Sequence, residues 1–191
     1  MHFSPDCKSV SRAAGGSHRR NEGNGYLGDD SACQDYNKDL GWILEVVTNQ
    51  MKRPGNSLFK FTIEAPVGII SKHPTIKMIE MPVADGGRGG KRCEVHYCKF
   101  GLPIHKPTYL WTNIPSVIAD LPTDERRPHP WLCRAGNQCF LGEGNHKQLG
   151  TGRPGGACSE AAAFPHDLVN WLVQHVVNRG CAERRTDDVK A

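Results

Sequence analysis

One long helical stripe running straight into a strand narrows the choice of architecture more than any other feature of this chain. In SACQDYNKDLGWILEVVTNQMK, residues 31–52, the side chains Tyr36, Leu40, Ile43, Leu44, Val47 and Met51 recur at helical spacing in spite of Gly41. That pattern predicts an amphipathic helix with one face in a core. RPGN stops it, and SLFKFTIE then sets Leu58, Phe59, Phe61 and Ile63 among polar residues, which predicts a strand ending at Glu64.

The rest of the chain continues the theme. Residues 1–28 read as a Gly-, Ser- and Arg-rich loop with a stub of strand at His2-Phe3. APVGIISKHP turns, ADGGRGGKR is a flexible basic loop, CEVHYCKF is a second strand and TYLWTNI a third. Residues 114–160 are irregular and rich in Pro, Gly, Cys and His. In FPHDLVNWLVQHVVN, Leu168, Trp171, Leu172, His175 and Val176 fall on one stripe, which predicts a closing helix. A helix, three strands and a helix in this order give an α/β class with part of a sheet.

Composition bounds the function. With 38% hydrophobic residues the 191-residue chain can build one modest core, and 21 Gly and 13 Pro imply many turns. A net charge of +4 suits a polyanionic partner without requiring one. No apolar run is long enough for a membrane span, and no signal peptide is evident, so no membrane partner is expected and the chain reads as intracellular. The eight cysteines are then expected to be reduced thiols or metal ligands.

The chemistry concentrates at two points. Cys7 sits in SPDC, on a turn followed by Ser, Gly, His and Arg, the exposed cationic setting in which a thiolate is favoured. Glu64 closes the first full strand, and functional groups of open α/β sheets gather at carboxyl ends of strands. Cys7, Glu64 and the loop after Tyr97-Cys98 are therefore expected on one rim. A thiolate beside a carboxylic acid suits addition of sulfur to an electron-poor ring while a ring nitrogen is protonated.

These motifs resemble those of the DNA cytosine-5 methyltransferases, in particular a divergent branch in phages and algal or mobile-element genomes. SPDC is similar to their Pro-Pro-Cys nucleophile loop, FTIEAPVG to their Glu-Asn-Val or Glu-Asn-Pro motif, and YCKFGLPIHKPTYLWTN to their Gln-x-Arg-x-Arg region. AAAFPHDLVNWLVQHV resembles that branch's C-terminal helix, so the likeness runs from about Phe3 to Asn178. The resemblance implies a partial class I methyltransferase sheet of Rossmann-like type. Residues 1–113 would form the catalytic half, 114–160 a Cys/His-rich target-recognition segment, 161–179 a helix packed on the catalytic part, and 180–191 a disordered tail. It implies Cys7 as the nucleophile toward C6 of a flipped cytosine, Glu64 as the partner of N3, and Lys106 in the place of the family's first Arg. It also implies DNA contacts from Ser9, Ser11, Arg12, His18, Arg19 and Arg20 on a mobile loop and from Thr108. The cofactor would be S-adenosylmethionine, the partner DNA, and the location the nucleus in a eukaryote.

The pattern departs from the family in three places. The Gly-rich cofactor loop that precedes the cysteine motif in the family is missing, and DGGRGG follows no strand and opens no helix. A second chain supplying the cofactor-binding strands would complete the fold. Asp6 replaces a Pro and disfavours the thiolate beside it, and Ala65 replaces an Asn after the catalytic Glu.

The stretch HPWLCRAGNQCFLGEGNH with GACSE gathers His129, Cys133, Cys139, His146 and Cys158. Cys133, Cys139, His146 and Cys158 are candidate zinc ligands, although five residues between the first two exceed the two to four common in zinc pairs. His129, Arg134, His146, Lys147 and Arg153 serve equally as groove or phosphate contacts. Two other readings stand beside the transferase: a non-enzymatic DNA-binding remnant, and a cysteine hydrolase pairing Cys7 with a histidine.

Overall fold

The computed structural model describes residues 1–5, 9–10, 19–56, 59–120, 130–133, 146 and 164–187, the last ten of these through the backbone alone. The chain divides into two units, Met1–Val95 with Pro107–Asn113, and His96–Lys106 with Ile114–Ala191.

The first unit is built on the predicted helix. α1 (Ser31–Lys52) starts where Asp30 caps it, its Oδ1 accepting the Cys33 N–H at 2.8 Å. An acidic N-cap satisfies an orphan amide and complements the helix dipole. Cys33, Tyr36, Leu40, Ile43 and Val47 are buried at alternating steps of three and four, while Gly41 and Trp42 face outward. Truncating Leu40 to Ala would cost about 2–5 kcal/mol at such a site.

The sheet is four-stranded and mixed, in the order β1-β2-β4-β3, with β1 (His2–Phe3), β2 (Thr62–Pro66), β3 (Lys91–His96) and β4 (Pro107–Thr112). β1 and β2 are parallel, and α1 is the crossover between them, the connection that parallel strands require. β4 runs antiparallel to β2, with Glu64 opposite Leu110 and Pro66 opposite Thr108. Every residue of β2 is buried, as expected for an inner strand covered on both faces. β2 therefore starts later than the alternation suggested and continues past Glu64 through Pro66. Asn113 extends the pairing upstream, with its Oδ1 accepting from Phe61 N and its Nδ2 donating to Phe59 O.

Two elements differ from expectation. α2 (Pro74–Glu80) falls where only a turn was read. Pro74 opens it, His73 caps it through Nδ1, and Ile76 and Ile79 bury one face. The Gly-rich loop is not a loose tether. Arg88 donates from Nε to Thr48 Oγ1 at 2.7 Å and from Nη1 to the carbonyls of Gly86 and Gly87. The amides of Gly87, Gly89 and Gly90 return to Pro82, Met81 and Ile79. A Cβ on Gly87 would lie 2.1 Å from Met81 O, so only glycine permits this close approach.

In the second unit, β3 gives way to a 3-10 turn, Tyr97–Phe100, where the sequence suggested continued strand. Gly101 ends the turn at φ 87, in the left-handed region. Phe100 stacks on Trp131 at 4.8 Å between centroids, and Trp131 meets Trp171 at 5.5 Å. α3 (Pro115–Asp120) lies inside the stretch expected to be irregular. α4 (His166–Asp187) buries Leu168 and Leu172 but leaves Val176 exposed. α4 also runs to Asp187, past the expected end at 179, because the segment after Gly180 includes good helix formers, Ala182, Glu183, Arg184 and Arg185. Among the described residues, no helix is long and apolar enough to cross a membrane.

Candidate functional site

In the first unit, parallel pairing brings the start of the chain to Glu64. His2 lies opposite Thr62 and Phe3 opposite Ile63, so the next position, Ser4, meets Glu64. Its Oγ donates to Glu64 Oε2 at 2.5 Å. His2 Nδ1 lies 2.6 Å from Thr62 Oγ1, and the N-terminal ammonium donates to Lys60 O. Glu64 is only 3% exposed, and its strand is held by β1 on one side and β4 on the other.

Cys7 lies outside the described residues, as do Ser11, Arg12 and His18. The flanks of that segment are described. Ser9 and Val10 are buried, and Arg20 ties them back. The Arg20 guanidinium donates from Nε to Ser9 O, from Nη2 to Ser9 Oγ and Cys33 O, and from Nη1 to Tyr26 O and Asn37 Oδ1. Those five bonds use all five of its donors. Arg20 and Ser9 are thus a bracket closing the 9–20 loop onto α1, not groups turned toward a phosphate. Thr108 is likewise internal, a fully buried residue of β4 opposite Pro66. Arg19 remains exposed, at φ 46, with its carbonyl accepting from the side-chain amides of Asn21 and Asn24. Lys106 belongs to the second unit, where its ammonium sits 4.6 Å from the centre of the Tyr97 ring.

Beside the Arg20 bracket, His73 is 2% exposed and bound at both nitrogens: Nδ1 accepts from Thr75 N, and Nε2 meets Asn37 Oδ1 at 3.1 Å. Burial, and secondarily the charge of Arg20, lower its pKa to about 4. The thiol of Cys93, buried on β3, is pushed up to about 11 by burial alone, which makes it a poor nucleophile.

A different cluster forms in the second unit. Cys98, Cys133 and His146 place their ligand atoms within 4.8 Å of one another. Cys133 Sγ lies 3.6 Å from His146 Nε2. Of the four zinc candidates read from the sequence, Cys133 and His146 come together, while Cys139 and Cys158 lie outside the described residues. Cys98 was missed because it reads as a strand residue 35 positions before Cys133, and no sequence spacing announces that pairing.

No protein-family model, no curated protein and no solved structure matches this chain.

Proposed function

We propose that the chain is the catalytic and target-recognition half of a DNA cytosine-5 methyltransferase. The observation that carries this reading is the Ser4–Glu64 hydrogen bond. Cys7 follows Ser4 by three residues, about 11 Å of chain at full extension, and precedes the buried Ser9 by two. In sequence Cys7 thus follows closely on the carboxyl end of β1, whose next residue, Ser4, bonds Glu64 on the neighbouring parallel strand β2, and α/β sheets carry their chemistry toward the carboxyl ends of such strands. A sheet in which β4, antiparallel to β2, stands between β2 and β3 fits the carboxyl half of the class I methyltransferase sheet that the resemblance implies.

In this reading the Cys7 thiolate forms a bond to C6 of a cytosine extruded from the duplex. The electron pair of the C5–C6 double bond moves to C5 while the Glu64 carboxyl group hydrogen-bonds or protonates N3. C5 then takes an electrophile, loses its original proton, and the returning pair expels the thiolate. Ser4 holds the carboxylate in place for this role. Arg19, exposed at the end of that loop, would meet a phosphate.

S-adenosylmethionine does not fit the described residues. The Gly-rich loop of residues 86–90 folds against Met81 and Ile79 and presents no free cradle. The methyl-donor site would be supplied by a second chain or by residues other than those described. Zinc enters the reading as a brace for the 114–160 segment.

The half-reaction needs no methyl donor to be seen. The Cys7 adduct lets C5 take up a solvent deuteron, so incubation in deuterated water with DNA carrying an unpaired cytosine should exchange its C5 hydrogen. Cys7→Ser should abolish the exchange, and Glu64→Gln should slow it by about 10²–10⁴-fold. No exchange by the wild-type chain, or equal exchange by Cys7→Ser, refutes the assignment. The second reading, a non-enzymatic DNA-binding remnant, is favoured by the missing cradle and by Asp6 next to the thiol. It predicts salt-sensitive DNA binding that Cys7→Ser leaves intact, with no exchange at all.

A further inference from the structure

We infer that Cys98, Cys133 and His146 bind a zinc ion, independently of whether the chain is a methyltransferase. Zinc prefers tetrahedral sets of sulfur and nitrogen, with Zn–S about 2.3 Å and Zn–N about 2.0 Å. Those bond lengths fix the edges of the tetrahedron: about 3.5 Å between a sulfur and a nitrogen, and about 3.8 Å between two sulfurs. The Cys133 Sγ to His146 Nε2 separation of 3.6 Å is already that edge, and all three ligand atoms fit within a 4.8 Å span. Ion entry therefore requires side-chain adjustment of about 1 Å at most, not a change of fold.

The backbone explains why the two sulfurs meet. His96 N donates to Trp131 O at 2.9 Å, and Cys133 N donates to His96 Nδ1 at 3.0 Å. These two bonds clamp residues 131–133 against the position two residues before Cys98. His105 Nε2 also lies 2.9 Å from His96 Nδ1, the nitrogen that accepts the Cys133 amide. Phe100 stacked on Trp131 closes the same junction from the other side of Cys98. His96 is thus a positioning residue: it acts on the site through the backbone of Cys133, as outer groups around metal ligands do. Cys98 is fully buried and Cys133 8% exposed, and neither is in a disulfide. A soft, shielded sulfur pair with an imidazole at its edge selects zinc over hard cations that require oxygen.

A fourth ligand is needed. That position is open to water or a further side chain, and the number of thiolates on the metal separates them.

The test uses the full-length chain. Protein produced with zinc in the medium should carry one zinc per chain by elemental analysis. Exchange for Co²⁺ should give the visible bands of a tetrahedral site together with a sulfur-to-cobalt charge-transfer band in the near ultraviolet. Cys98→Ser and Cys133→Ser should each weaken metal retention by 10-fold or more and reduce the charge-transfer band, whereas Cys93→Ala, which alters a buried thiol outside the cluster, should keep both. His96→Ala should weaken retention while leaving the band's shape unchanged, the mark of a group that positions a ligand without being one. A wild-type chain that holds no zinc and shows no thiolate–cobalt band overturns the proposal, and the 3.6 Å contact is then a thiol–imidazole hydrogen bond. That result does not depend on any variant folding. A band undiminished in Cys98→Ser overturns that ligand's assignment.

Discussion

Acidification should destabilise the first unit through a single histidine. His73 is buried, donates from Nε2 to Asn37 Oδ1 and accepts at Nδ1, so it is neutral in the folded protein and has no vacant acceptor for a second proton. Its pKa falls from 6.5 to about 4, with burial as the main cause and the Arg20 charge as the second. Above 6.5 both folded and unfolded chains hold the ring neutral, and the histidine contributes no pH dependence. As the pH drops below 6.5 the unfolded chain takes up a proton that the folded chain refuses, so stability falls by about 1.4 kcal/mol per pH unit. The fall ends near 4, where the folded form also binds the proton, after a total loss of about 3 kcal/mol, a sizeable part of the 5–15 kcal/mol that holds a typical domain together. Urea unfolding between about pH 7 and pH 4.5, followed by circular dichroism, gives the slope, and carboxylates that titrate in the same range are removed by comparison with His73→Gln. Glutamine can keep the bond to Asn37 but cannot ionise, so the variant should be less stable at neutral pH and markedly flatter with pH. Identical slopes for the two proteins, or a His73 titration measured by NMR near 6.5, would refute the reasoning.

The same region yields a second expectation: Arg20→Gln removes the guanidinium's five bonds to Ser9, Tyr26, Cys33 and Asn37 and should cost about 2–4 kcal/mol, seen as a lower urea midpoint. It should also raise the His73 pKa while leaving it below 6.5, because burial, the larger cause, persists. Two glycines should respond with opposite sign. Gly41 lies on the exposed side of α1 with nothing within 4 Å of a new Cβ, so Gly41→Ala should stabilise by about 0.5–1 kcal/mol. Gly87→Ala drives a Cβ to 2.1 Å from Met81 O and should cost about 1–3 kcal/mol; an equal shift in melting temperature for both would contradict the geometry. Cys93, with its thiol raised to about 11, should resist alkylation near pH 8 until the protein unfolds, which mass mapping of the labelled peptides can check.

Local chemistry made α1 legible. An apolar stripe at steps of three and four has one folded solution, and the Asp30 cap and the Arg53-Pro54-Gly55 stop define its ends. α2 was hidden because Pro74 looks like a breaker when its position at the first turn is not recognised. The DGGRGG loop looked slack for a comparable reason. Glycines signal freedom in a sequence, but here they permit close backbone approach, and Arg88 uses its donors to hold them there. Arg20 shows the limit most clearly. A basic residue in a Gly-rich loop reads as a phosphate contact, and only the fold reveals that its five donors have partners 6 to 17 residues away.

The amino-acid order alone therefore determined what is local: the long helix, the α/β character, and the presence of Glu64 on a strand, although that strand runs on to Pro66. Tertiary structure decided which distant residues meet. Ser4 reaches Glu64 across 60 residues because β1 pairs in parallel with β2, and Cys98 reaches Cys133 because His96 clamps two separate segments. The physical reason is the same in both cases. Periodicity and capping are energies between near neighbours, which a sequence window contains, whereas strand register and side-chain clusters are chosen by burying surfaces contributed from far along the chain.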